Sequence, residues 1–149
     1  MQIVTLDFET FYGKQYSLTK LTTEEYIHDY RFETIGVATK INENETTWCS
    51  GDHSDIQNYL DAIDWDDSIM VAHKAMFDAA ILSWRFGVKP KHIADTLSMS
   101  RAIDGVNVKH SLAAAAARHG LGQKGTEVIA ALGKRRTDFG TEELERYGG

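Results

Sequence analysis

One short segment constrains this chain more than any other, because an apolar, β-forming run carries two acids at its end. Residues 2–8 are rich in β-branched and large apolar side chains, which predicts a buried strand. Side chains alternate along a strand, so Asp7 and Glu9 should point to one face and Phe8 to the other. Two adjacent carboxylates repel one another unless a cation lies between them. The segment therefore predicts either a metal-binding strand or two solvated acids at a strand end.

The rest of the chain alternates between strand and helix patterns. Apolar spacing and turn residues predict strands at 34–41, 45–49 and 69–72, and helices at 24–27, 54–63, 75–86 and 111–119. Residues 93–102 begin as a strand or loop and turn helical, and a last helix opens at 141. This order predicts an α/β fold with a mixed sheet, antiparallel first and then parallel with helical connections.

Composition narrows the function classes. The net charge of −6 argues against broad, charge-driven binding to duplex nucleic acid, but it is compatible with a carboxylate metal site. A single cysteine, Cys49, excludes an internal disulfide and a zinc site built from several cysteines. With no signal-peptide pattern and no apolar run long enough to span a bilayer, we expect a cytoplasmic protein without a membrane partner.

Two further acids lie where later strands should end. Asp78 falls in the first turn of the helix predicted at 75–86, where the helix dipole favours a carboxylate. Open α/β sheets bind ligands at the carboxyl ends of their strands, so Asp78 is also a candidate third acid beside Asp7 and Glu9. For Asp95 we expect the role of N-cap to the helical part of 93–102, near the same site.

Several motifs, taken in order, resemble the DEDD exonuclease superfamily. The sequence LDFET at 6–10 resembles the first motif, and HKAMFD at 73–78 is similar to the second, which is usually His-Asn-x-x-Phe-Asp. The DTL sequence at 95–97 resembles the Asp-Thr segment that follows. The HSL sequence at 110–112, with Gly120 and Leu121, resembles a later helix in the exonuclease domains of phage and bacterial family A DNA polymerases. The resemblance spans nearly the whole chain.

The resemblance implies an RNase H-like fold, a three-layer α/β/α arrangement with a five-stranded mixed sheet, as one exonuclease domain over 1–149. It implies two divalent ions, Mg²⁺ or Mn²⁺, held by Asp7, Glu9 and Asp78. The implied reaction is 3′→5′ hydrolysis of single-stranded DNA 3′ ends to nucleoside 5′-monophosphates. The implied setting is proofreading beside a polymerase domain, in cis or as a separate chain, within a host cell if the gene belongs to a phage.

Residues beside these motifs are candidates for contacts with the nucleic-acid strand. The candidates are Thr10, Phe11, His73, Lys74 and Phe77. Lys74 stands where Asn is usual, and its ammonium could contact phosphate or point to solvent. Phe11, Tyr12 and Tyr16 could stack on terminal bases or pack in the core. The basic run at 134–136 could contact phosphates or form a solvated face.

The third motif of the superfamily is Tyr-x-x-x-Asp in one subfamily and His-x-x-x-x-Asp in the other. Near the C-terminus, Tyr147 is the residue that suits the first form as a catalytic candidate. The matching aspartate would fall four residues later, past Gly149, so we expect a domain cut within its third motif. A fragment, a split gene and an inactive remnant would each explain this. Two other functions stay open: a related 3′→5′ exoribonuclease, and a non-catalytic module that docks a polymerase through the same fold.

Overall fold

A computed structural model describes residues 1–122 of the chain. The strands are β1 (Gln2–Thr10), β2 (Thr34–Ile41), β3 (Thr47–Ser50), β4 (Ser68–Ala72) and β5 (His92–Asp95). The helices are α1 (Thr23–His28), α2 (His53–Asp61), α3 (Ala75–Phe86), α4 (Thr96–Asp104) and α5 (Leu112–Arg118), with a 3₁₀ turn at Trp65–Asp67. The predictions at 34–41 and 75–86 match residue for residue, and the others in this range shift by a few residues. The helix predicted from 141 lies outside the described residues.

The sheet is mixed, as the element order predicts. Its strand order is β3-β2-β1-β4-β5. The pairs β1–β2 and β2–β3 are antiparallel, whereas β1–β4 and β4–β5 are parallel. A short turn joins β2 to β3, and Asn42 in this turn adopts the left-handed conformation, with φ 50°. The connection between β1 and β2 is longer and contains α1. The parallel strands need crossovers that contain α2 and α3. The carboxyl ends of β1, β4 and β5 therefore meet at one edge of the sheet.

The hydrophobic core lies between one face of the sheet and the helices α1, α2 and α3. Alternate residues of β1 face it, and the ring of Phe8 stacks on that of Phe86 in α3 with centroids 5.8 Å apart. The side-chain amide of Gln57 in α2 donates to the Phe86 carbonyl oxygen at 2.8 Å, which ties α2 to α3. Buried apolar residues of this core include Val4, Leu6, Phe8, Ile56, Leu60, Ile81, Leu82 and Phe86. Within residues 1–122, no helix has both the length and the apolar character that a bilayer crossing requires.

Local signals set the helix ends. The Thr22 hydroxyl accepts from the Glu25 amide at 3.2 Å, and the Glu25 carboxylate accepts from the Thr22 amide at 3.1 Å, so a capping box opens α1. Gly87 ends α3 in the left-handed conformation, with φ 65°, as expected of a residue with no Cβ. Correct placement of α3 matters because its first turn carries Asp78 to the edge of the sheet where the parallel strands end.

Candidate functional site

The acid on α3 is fixed directly to the backbone of β1. The β1–β4 ladder ends at the pair Thr5 and Val71, so β1 extends beyond its parallel neighbour. Asp78 occupies this stretch, and its Oδ1 accepts a hydrogen bond from the Phe8 amide at 3.0 Å. Only 4% of Asp78 is exposed. The carboxylate is therefore held beside the residue that separates the two acids of β1.

Burial dominates the electrostatics of Asp78. It raises the pKa of this carboxyl from 3.8 to about 7, against the opposing hydrogen bond from Phe8. The negative charges of Asp7 and, to a smaller extent, Asp95 raise the pKa further. A carboxyl that titrates near neutral pH beside another carboxylate gives up its proton readily when a cation arrives. Such a perturbed acid at a sheet edge is a candidate functional group.

Asp7 and Glu9 lie on the same face of β1, as strand alternation predicts. Asp7 is exposed and Glu9 is half-buried, whereas the neighbours that alternate with them are buried. The register with β2 shifts just after Glu9, since Glu9 pairs with Gly36 but Thr10 pairs with Thr34. Ile35 is thus an extra residue in β2, a β-bulge of the kind that re-aims side chains beside active sites.

The charge of the carboxylates beside β1 suits a hard divalent cation, but the number of metal ligands grouped there is small. Asp7 and Asp78 repel each other, and a cation between them would remove that repulsion. Mg²⁺ is commonly held by one or two protein carboxylates, with water and substrate phosphate completing its shell. However, residues 1–122 contain no group of three or more His, Cys, Asp or Glu side chains arranged to hold a metal ion. Among the described residues, the structure shows the electrostatic coupling of Asp7 with Asp78, and the three-acid set expected from the resemblance stays a prediction.

Asp95 is the N-cap of α4, as predicted, and it has a second structural role. Its Oδ1 accepts from the Leu97 amide at 3.0 Å and from the Lys74 amide at 2.9 Å. Burial alone would raise its pKa, but these amides, that of Ala75 and the Ser98 hydroxyl lower it overall. Asp95 therefore stays ionised and anchors the turn between β4 and α3.

That turn carries Lys74, and its backbone is strained. Lys74 has φ 63° and ψ 56°, the left-handed region that costs most L-residues energy and that Asn tolerates better. Asparagine, the usual residue in the motif that this segment resembles, would adopt this conformation at lower cost than lysine. The Lys74 side chain is exposed, which leaves it available to solvent or to a ligand.

His73, the other polar candidate in this turn, has both ring nitrogens engaged within the chain. Its Nε2 donates to the His110 carbonyl oxygen at 2.8 Å, and its Nδ1 lies 2.9 Å from the Thr96 hydroxyl. A contact between His73 and a nucleic-acid strand would therefore have to use the face of the imidazole ring. Its predicted binding role stays a prediction.

The remaining candidates for contacts with a nucleic-acid strand lie around Tyr26. The Tyr26 hydroxyl donates to the Phe11 carbonyl oxygen and accepts from the Thr10 hydroxyl, 2.8 Å away. The rings of Phe11 and Tyr16 stack with centroids 5.8 Å apart, and Phe77 lies 5.9 Å from Tyr26. Tyr16 is only 2% exposed, so of its two alternatives the structure shows core packing. Binding roles for Thr10, Phe11 and Phe77 stay predictions.

Sequence reasoning missed a polar network behind the β4–α3 turn. The Ser100 hydroxyl donates to His110 Nδ1 at 2.8 Å and accepts from the Arg118 guanidinium at 3.1 Å. Arg118 also pairs with Asp104 at 3.0 Å. These residues are spaced without any local pattern, so only the folded chain relates them. Tyr147 and the basic run at 134–136 lie outside the described residues.

Asp7, Glu9 and Asp78 lie where the parallel strands end, and we call this part of the sheet the acidic edge. The fold and the acidic edge together define a class of protein, an RNase H-like α/β domain with a five-stranded mixed sheet and flanking helices. A solved structure of Trypanosoma brucei RNase D in complex with RNA U12 matches 99% of this chain and 50% of that one, with a TM-score of 0.65 and 16% sequence identity. The chain thus spans about half the length of that protein. No protein-family model and no curated protein sequence matches it. At this identity the likeness establishes the fold.

Proposed function

We propose that this chain is a metal-dependent 3′→5′ exonuclease that releases nucleoside 5′-monophosphates from the 3′ end of a single strand. The observation that carries the proposal is the buried Asp78 carboxylate, bonded to the Phe8 amide and electrostatically coupled to Asp7. It lies at the carboxyl ends of the parallel strands, where α/β sheets bind ligands. The likeness in fold to an RNase D supports a nuclease over other α/β enzymes.

In this proposal Asp7, Glu9 and Asp78 would hold the divalent ions, Mg²⁺ or Mn²⁺. Bound ions of this kind activate water as a nucleophile and stabilise the leaving oxygen of a phosphodiester. Asp78 would lose its proton when an ion binds, and the hydrogen bond from the Phe8 amide fixes its carboxylate beside β1. Asp95 holds the β4–α3 turn, so that the N-terminus of α3 stays in place beside β1.

The substrate could be either of two nucleic acids. The motifs at 6–10 and 73–78 resemble proofreading exonucleases, which favours single-stranded DNA and a polymerase domain as partner, in cis or as a separate chain. The RNase D neighbour was solved with RNA, which favours a single-stranded RNA substrate as the second candidate. Both substrates would be cut at the same acidic edge, and the preference between DNA and RNA depends on whether the site recognises the 2′-hydroxyl of the sugar.

The test is digestion of 5′-labelled single strands, one DNA and one RNA of the same sequence, by the full 149-residue chain with Mg²⁺ or Mn²⁺. A 3′→5′ exonuclease produces a ladder of shortened labelled products. Asp7→Asn and Asp78→Asn should each reduce the rate by on the order of 100-fold or more, since such carboxylates act as a unit. The matched control is Asp66→Asn, an exposed acid in the 3₁₀ turn at the opposite end of β4, which should digest like the unsubstituted chain.

The competing function, a module that docks a polymerase without catalysis, predicts a different result. Neither strand would be shortened, and Mg²⁺ or Mn²⁺ would leave the melting temperature unchanged. That pair of outcomes would remove the exonuclease proposal.

A further inference from the structure

A tryptophan lies on the same face of the sheet as the two acids of β1. Asp7 pairs with Ala38 across β1 and β2, and Ala38 pairs with Trp48 across β2 and β3. Directly paired residues of an antiparallel ladder share a face, so Trp48 is on the face that carries Asp7 and Glu9. We propose that Trp48 is a positioning residue for Glu9, and that its indole N–H donates to the Glu9 carboxylate when a divalent ion binds at the acidic edge. The inference rests on the proposed function and deepens it.

The indole ring of Trp48 lies over Gly36, the residue that pairs with Glu9 in the β1–β2 ladder. A Cβ added at Gly36 would lie 2.3 Å from Cη2 of the ring and 2.4 Å from Cζ2, the carbon on the side that carries Nε1. The ring therefore occupies the space that a side chain at position 36 would fill. Directly paired Cβ positions on one face are about 5 Å apart, so this edge of the ring lies beside the Glu9 side chain.

The N–H of this ring is buried and has no acceptor. Within residues 1–122, Trp48 Nε1 is the single buried side-chain polar atom without a hydrogen-bond partner. By contrast, Trp65 Nε1 donates to the Leu60 carbonyl oxygen at 2.8 Å. An unpaired buried donor costs stability, and such groups are rare in folded proteins. Because the atom is screened from solvent, a neighbouring side chain reaches it more readily than a bound strand does. The orphaned donor points to an acceptor within the protein.

Glu9 is the acceptor that the geometry favours. It is half-buried on the same face, and its side chain has several rotatable bonds through which an oxygen can reach the indole without a backbone shift. The Trp48 ring extends away from the row of Asp7 and toward that of Glu9. Ser50 of β3 donates its hydroxyl to the Ile35 carbonyl oxygen at 2.9 Å. That bond ties β3 to the β-bulge of β2 and keeps the strand that carries Trp48 in place.

A neutral donor at this place suits a carboxylate that holds a metal ion. Ligating carboxylates are usually oriented by a hydrogen bond from a second group, and loss of that group typically weakens metal affinity roughly 10- to 100-fold. An indole N–H donates without carrying charge, so it orients Glu9 without competing with the cation. The same bond satisfies the buried donor, so ion binding and formation of this bond favour one another. Trp48 thus acts on the affinity for the ion through Glu9 and takes no part in the reaction itself.

The test follows the indole N–H directly by NMR of the full chain labelled with ¹⁵N. The chain has three tryptophans and therefore three indole N–H signals, and Trp48→Phe identifies the one from Trp48. In EDTA this signal should lie upfield of that of Trp65, whose N–H is hydrogen-bonded. Saturating Mg²⁺ should move it downfield and slow its exchange with solvent, while the Trp65 signal stays in place. A Trp48 signal that is already downfield in EDTA, or that does not move although Mg²⁺ binds, would overturn the inference.

Mn²⁺ affinity measured by calorimetry gives an independent readout. Trp48→Phe keeps an aromatic ring over Gly36 but removes the donor, and it should weaken Mn²⁺ binding on the order of tenfold. Trp84→Phe is the matched control, because this ring is 47% exposed on α3 and contacts His28, so Mn²⁺ binding should be unchanged. In the digestion assay, Trp48→Phe should be slow at limiting Mn²⁺ and should recover at saturating Mn²⁺, which a misfolded variant would not do.

The outcomes separate this inference from the proposed function. If the unsubstituted chain binds Mn²⁺ and digests strands but Trp48→Phe binds Mn²⁺ equally well, the role of Trp48 is refuted and the exonuclease proposal survives. If the unsubstituted chain binds neither Mg²⁺ nor Mn²⁺, both proposals fail. If circular dichroism shows that Trp48→Phe does not fold, the movement of the assigned indole signal in the unsubstituted chain decides, with Trp65→Phe and Trp84→Phe completing the assignment.

Discussion

Asp78→Asn should make the protein more stable at neutral and alkaline pH while it abolishes the proposed activity. The folded state raises the pKa of Asp78 from 3.8 to about 7. The folded protein therefore binds this proton more tightly than the unfolded chain, and the free energy of unfolding falls as pH rises through that window. Asparagine carries no charge at any pH and keeps an oxygen that can accept from the Phe8 amide.

The magnitude follows from the two pKa values. Each pKa unit is worth about 1.4 kcal/mol, so the ionised carboxyl costs about 4 kcal/mol above pH 7 and about 2 kcal/mol at pH 5. Asp78→Asn should therefore exceed the unsubstituted chain in stability by up to about 4 kcal/mol at pH 8, and this gap should narrow by roughly 2 kcal/mol at pH 5. For a chain of this size, that narrowing corresponds to roughly 4–8 °C in melting temperature.

The assay is thermal unfolding in EDTA at pH 5 and pH 8, followed by circular dichroism. Asp66→Asn serves as the control, because this exposed acid lies at the opposite end of β4, away from Asp78. Adding Mg²⁺ should raise the melting temperature of the unsubstituted chain at pH 8 more than that of Asp78→Asn, since the cation binds only the folded carboxylates. A stability gap that is identical at pH 5 and pH 8 would refute the reasoning.

Two further predictions concern stability. Lys74→Asn should raise the free energy of unfolding by about 1 kcal/mol in urea denaturation, because Asn adopts the left-handed region at lower cost. Lys74→Ala keeps the backbone strain and is the control. Equal stability of the two variants would contradict the argument. Gly36→Ala should cost about 1–3 kcal/mol, since an added Cβ would lie 2.3 Å from the Trp48 ring. Gly13→Ala is the matched control, with its nearest neighbouring atom 3.9 Å away, and an equal effect of the two substitutions would count against the packing argument.

Features set by short-range rules could be predicted from the sequence. The alternation of side chains on a strand placed Asp7 and Glu9 on one face, and the structure has them there. The span of α3 follows from its apolar spacing and from Gly87, whose missing Cβ permits the left-handed end. Asp95 caps α4 because an aspartate before a helix bonds to the amides of its first turn.

Features set by long-range packing could not be predicted. Asp78 accepts a hydrogen bond from the Phe8 amide, although the two residues are 70 positions apart in sequence. This contact depends on where the β1–β4 ladder ends. The local aromatic pattern left undecided whether Tyr16 packs in the core. Its packing depends on a stacking contact with Tyr26, which belongs to another element. His73 is engaged by a carbonyl oxygen 37 residues away. No local pattern in the chain encodes these pairings, since each is a product of the tertiary fold.

The bond from the Phe8 amide to Asp78 has a consequence for how this architecture can diverge. A main-chain amide is present whichever amino acid occupies position 8, proline apart, so no compensating side-chain change is needed to keep the acid in place. Substitutions can therefore accumulate along β1 and α3 while the acidic edge keeps its geometry.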